Sequence, residues 1–162
     1  MTPVSTGTVS IHPLLPKLTC LDYQVWRRVG DLSTAIFALG LHQDLQPSSQ
    51  HPFWLVEMRR RGLALAYAVD KALCTFVGRP PRISRRYCSI RIPLDLTFDE
   101  LALEDAALEE VLSRIDVNGW YTGDGHRKSS YVRCFVMINL IREDILELSL
   151  GPPQADIKEL AA

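Results

Sequence analysis

Four cysteines, Cys20, Cys74, Cys88 and Cys134, are scattered through 162 residues with no short Cys-x-x-Cys pair. That spacing speaks against a disulfide framework and suits a reducing compartment. The four histidines, His12, His42, His51 and His126, stand at no ligand spacing to each other or to the cysteines, so no closed metal site is expected. Gly-x-Ser-x-Gly is absent, and no Cys and His share a recognisable catalytic context. Gly123-Asp124-Gly125 lacks the Lys-Ser/Thr of a phosphate loop and reads as a turn. The chain is therefore not expected to be an enzyme. No uncharged apolar stretch approaches the roughly 18 residues that a bilayer crossing needs, and the N-terminus lacks the basic-then-apolar pattern of a secretory leader. A formal net charge of −1 gives no global attraction to nucleic acid or anionic lipid. There is no internal repeat and no low-complexity segment.

What is present is the composition of one globular domain, 47% hydrophobic and 23% charged, in a chain long enough for a core. Residues 1–18, with Pro3, Pro13 and Pro16, read as an extended or disordered lead-in. Thr19 and Asp22 resemble a capping box. Leu21, Val25, Val29, Leu32, Ile36 and Leu39 then recur at helical spacing as far as Gly40. Pro47, Ser48, Ser49 and Pro52 mark a loop. A second capping box, Thr97 with Glu100, introduces a helical stretch to Ile115 with a break near Glu104. Ser129 or Ser130 is placed to cap a long helix from about Tyr131 to Ser149. On it Cys134, Ile138, Ile141, Ile145 and Leu148 form a stripe that demands a partner helix. Residues 151–162 read as the start of a further helix or a tail.

The centre of the chain is Phe53 to Pro93. From Leu63 to Val77 apolar residues occupy nearly every helical face, which predicts a helix walled in on all sides. Gly78 suits a left-handed stop, and Pro80-Pro81 forbid continuation. An irregular arm follows to Leu96. The expected fold is all-α: four to five helices with irregular Pro-rich connectors, the helical domain spanning residues 19–150.

Asp70 lies mid-helix among apolar residues, and a buried carboxylate is costly unless paired. An anchoring network with Lys71, or with Arg79 on the folded-back arm, is expected rather than catalysis. Arg59, Arg60 and Arg61 splay around a helix, so they cannot all face one phosphate backbone, and intramolecular pairing or a solvated face is expected. Arg82, Arg85, Arg86 and Arg91 precede an acidic block from Asp95 to Asp116, their nearest source of partners. Trp26, Trp54 and Trp120 read as packing anchors. No residue is assigned to an effector pocket.

Arg59 to Arg61, Asp70-Lys71, Gly78-Arg79-Pro80-Pro81, Ile83-Ser84 and Pro93-Leu94, in this order, resemble the regulatory middle homology domain of fungal zinc binuclear cluster transcription factors. Gly40-Leu41-His42-Gln43-Asp44 resembles the helix end before that core. Asn118-Gly119-Trp120 and the segment Ile141 to Leu148 resemble later parts, so that the likeness spans roughly residues 20–150. Arg60, Asp70, Lys71, Gly78, Arg79, Pro80 and Pro81 are the motif residues, with a structural role. Lys71 replaces a frequent arginine, and Arg85, Arg86 and Arg91 stand where acidic residues are common. The family's six-cysteine DNA-binding module is not in this sequence.

The resemblance implies a fungal regulatory domain, part of a larger helical domain and nuclear in location. It would control transcription through intra- or intermolecular contacts or effector sensing. It implies no cofactor in this chain, zinc being expected only in the missing module, and only indirect contact with DNA. The implied partners are other helices of the same factor, a homodimer partner or transcription machinery, with no membrane. The alternative is a stand-alone truncated helical protein that forms oligomers or competes for partners of full-length regulators.

Overall fold

The computed structural model describes residues 15–125 and 127–151. Five helices follow in order: α1 (Leu15–Ala38), α2 (Phe53–Val77), α3 (Phe98–Leu101), α4 (Asp105–Ser113) and α5 (Lys128–Leu150). No strand occurs among the described residues, where pairing is limited to an isolated bridge between Ile115 and Tyr121. The expected all-α class holds.

Helix α1 begins four residues before the expected Thr19, with Pro16 in its first turn. There the missing N–H costs no intrahelical bond. It ends just before Gly40, whose φ of 63° lets Leu41 swing back to donate to the Ile36 carbonyl. Leu41 thereby reaches the core of Ile36, Leu63, Ala66, Tyr67, Ile83 and Cys88. Beyond residues 15–18 and Gly151, the expected lead-in and C-terminal segment lie outside the described residues.

Helix α2 stops where the sequence predicts. Gly78 takes a left-handed conformation, and its N–H and that of Arg79 both point at the Cys74 carbonyl. Thr97 and Glu100 form the reciprocal capping box, and α3 breaks from α4 near Glu104 as expected. By contrast, α5 starts at Lys128 with no side-chain cap, because Ser129 and Ser130 are drawn to Asp95 instead.

All-round burial of α2 is overturned. Val56, Leu63, Ala64, Tyr67, Ala68 and Cys74 are buried, but Leu65 is 48% exposed, Val69 41%, and Trp54, Met58 and Phe76 share their side. The physical reason is simple: α1, α5 and the arm cover part of the circumference, and no element of the described chain covers the rest. The stripe on α5 faces outward as well. Ile138, Ile141 and Leu148 are 55%, 63% and 70% exposed, whereas Arg133, Val136, Asn139, Glu143 and Leu146 are buried. Helix α5 therefore packs with its polar side inward.

Candidate functional site

The inward polar side of α5 and the buried polar residues of α2 converge on the segment between α2 and α3. At one end of the two helices Glu57 accepts the Leu94 N–H at 2.8 Å, while Arg133 donates to the Pro93 and Asn118 carbonyls. Further along both, Tyr67 donates to Glu143 at 2.6 Å, and the Lys71 ammonium lies between Asp70 (3.0 Å) and Glu143 (3.7 Å). Matching ends of α2 and α5 thus run in the same direction, and the arm lies across both.

The arm is held mainly through its backbone. Asp70 accepts the N–H groups of Arg82 and Ile83, each at 3.0 Å from Oδ2, and Glu143 accepts that of Arg85 at 3.3 Å. Lys71 donates to the Ile83 carbonyl, and Arg61 to those of Leu94 and Leu96. A buried carboxylate that accepts N–H groups and faces a cation has its charge balanced, which is the condition for its burial. Asp70, Lys71, Glu57 and Glu143 are each fully enclosed. Cys74, also enclosed, holds its proton: burial, helped by the charge of Asp70, pushes its thiol up to about 12. The Tyr67 hydroxyl is likewise raised, first by burial and then by Glu143.

Arg79 does not reach Asp70. Its guanidinium lies 4.8 Å from the centre of the Trp26 ring, and that of Arg82 stacks on the same ring at 3.6 Å, tying the arm to α1 by cation–π contact. The Asp70–Lys71 half of the expected network is present, and the Asp70–Arg79 half is corrected: Arg79 follows the helix stop and points toward α1. Gly78 supplies the stop itself, followed by exposed Pro80 and half-buried Pro81. Gly30 on α1 makes room for Arg82, since a Cβ there would meet Nη1 at 2.5 Å.

The triple arginine is intramolecular. Arg59 donates to the Gly40 carbonyl, Arg60 to Asp44 at 3.0 Å, and Arg61 bridges Glu57 and the arm. The basic arm does not pair with the acidic block that follows it. Arg85 meets Glu143 and Asp144, Arg86 meets Glu147, and Arg91 meets Asp44. Within the acidic block Asp95 is buried, accepting Ser130 at 2.8 Å and Ser129, while Glu100 pairs with Arg127 at 2.5 Å. Of the three tryptophans, Trp26 and Trp120 carry arginines on their rings, whereas Trp54 is half exposed.

Glu57, Asp95, Arg133, Asn139 and Glu143 escaped the sequence reading. On α5 the signal was a polar face opposite an apolar one, a pattern that ordinarily means solvent. A shallow open cleft of about 350 Å³ lies beside Arg127, Ser130, Tyr131 and Cys134. Among the described residues no three His, Cys, Asp or Glu side chains cluster as a metal site, and no helix is long and apolar enough to cross a membrane.

The described residues form a helical scaffold whose buried charges grip an arm. The chain belongs to the family of the fungal specific transcription factor domain, whose family model matches residues 15–137. The match takes in α1 to α4, the arm and the first half of α5, and ends before the segment Ile141 to Leu148. No curated protein and no solved structure matches the chain. Membership of this family makes the chain's role one in transcription regulation, in a family that is regulatory and not enzymatic.

Proposed function

We propose that this chain is the regulatory portion of a nuclear fungal transcription factor, controlling target genes through helix-to-helix contacts or effector sensing. DNA binding would come from a zinc cluster module outside this sequence, so that zinc belongs to that module and the contact of this chain with DNA is indirect. One observation carries the reading: within a family of transcription regulators, each buried charge of α2 and α5 makes at least one bond to the arm between them. Such a scaffold would transmit contact between helices. Its partners would be other helices of the same factor or transcription machinery.

The test is a reporter assay in a fungal host, with the chain inserted between a heterologous DNA-binding module and an activation domain. Reporter output should differ from that of the two modules joined directly, and Asp70→Ala should abolish the difference. Equal output with and without the chain would overturn the proposal.

A second reading, a stand-alone helical interaction protein that oligomerises or competes for partners, is favoured by the outward apolar stripe of α5.

A further inference from the structure

Among the outward residues of α5, Tyr131, Cys134, Ile138, Ile141, Ile145 and Leu148 stand at spacings that alternate three and four. This is a heptad seam, with Tyr131, Ile138 and Ile145 in one set and Cys134, Ile141 and Leu148 in the other. The geometry points to a second copy of this chain as its occupant, two α5 helices pairing parallel and in register. The inference rests on the second reading above and specifies its partner and surface.

Three features select a second copy. Ile138 and Ile145 in the first set with Leu148 in the second match the combination that favours two parallel strands, whereas Cys134 and Ile141 in the second set do not. With Met137 at its flank, the stripe offers seven exposed side chains, Tyr131, Ile138, Ile141, Ile145 and Leu148 each more than half exposed, toward the ~800 Å² that a standard interface takes from each partner. Parallel pairing sets Met137 beside Arg142 of the second copy and Asp144 beside Ser149, so no like charges meet across the seam. Asp144 is also engaged by Arg85 of its own chain, and Arg142 donates to Asn139 at 3.0 Å. The outer stripe of α2 is a poorer candidate: Gly62 and Ala72 interrupt it and supply no knobs.

Sedimentation of the full chain over a hundredfold concentration range tests this. The expected result is a monomer–dimer equilibrium that Ile138→Asp with Ile145→Asp abolishes. Both side chains point outward, so the helical circular dichroism should be unchanged. Phe76→Asp on α2 should leave the dimer intact. Cys134 is an exposed free thiol and would face its own counterpart. Copper-phenanthroline oxidation should therefore trap a covalent dimer, and Cys134→Ser should prevent it. A dimer lost in the Phe76 variant but kept in the isoleucine variant would overturn the α5 pairing while leaving the second reading standing. A monomer throughout would overturn the pairing and the oligomerising form of the second reading, and a trimer or a dimer untrappable through Cys134 would overturn the parallel arrangement.

Discussion

The inner sides of α2 and α5 set buried charges among apolar residues, while their outer sides expose apolar residues. Inside, Asp70, Lys71, Glu57, Arg133 and Glu143 are buried. Outside, Leu65, Val69, Phe76, Ile138, Ile141 and Leu148 meet solvent. The inner set is tolerable because the arm brings N–H and carbonyl groups to each charge, so that nearly every buried ion has a partner of fixed position. The outer set needs no such matching, only cover. Polarity alone therefore does not say which side of a helix is the inside. What decides is whether another segment can saturate the polar groups.

The inner side should be the fragile one. Asp70→Ala, which takes the acceptor from the Arg82 and Ile83 N–H groups and one carboxylate from buried Lys71, and Glu143→Ala, which takes the acceptor from the Arg85 N–H and the Tyr67 hydroxyl and the other carboxylate from Lys71, should each lose about 3–5 kcal/mol in urea denaturation. A loss under ~1 kcal/mol would mean that the arm is not held as described. Arg133→Ala should cost less, about 2–3 kcal/mol, since it removes charged hydrogen bonds to two carbonyls. Arg133→Lys should recover only part, because one ammonium cannot fork to both. On the outer side, Leu65→Ser or Val69→Ser should stay within about 0.5 kcal/mol. A large effect at either would show that something covers that face.

Two carboxylates sharpen the contrast through pH. Burial raises Glu57 above the ordinary carboxylate range despite Leu94 and Arg61, so its contribution is full below that range and is lost as pH rises through the folded value. Glu100 is lowered, chiefly by its bond to Arg127, so its contribution is present above the ordinary range and is lost as pH falls through the folded value. From about pH 4 to about pH 7, Glu57→Gln should therefore gain on the wild type in melting temperature, and Glu100→Gln should fall behind. Parallel trends in the two variants would contradict the assignment.

Helix positions, the Gly78 stop, the Thr97–Glu100 cap and the Asp70–Lys71 contact were legible because each depends on residues close in sequence. The orientation of α5 was not, since Glu143 faces inward only through Tyr67, Lys71 and the arm, all far away along the chain. The all-round burial of α2 failed for the related reason that periodicity reports a need for cover and not its presence. The goal of Arg79 was misjudged because Trp26 lies on a different helix.

Carboxylates that read N–H groups are indifferent to the side chains hung on those nitrogens. Arg85 and Leu94 could be exchanged for many residue types with their amides still delivered to Glu143 and Glu57, whereas Ile83 also fills the core and Arg82 stacks on Trp26. The arm can therefore drift in composition, which accommodates basic residues at positions 85, 86 and 91, while its length stays fixed. Deleting or inserting one residue between Ile83 and Leu94 would slide a row of amides past immobile acceptors, and should do more harm than any single replacement there.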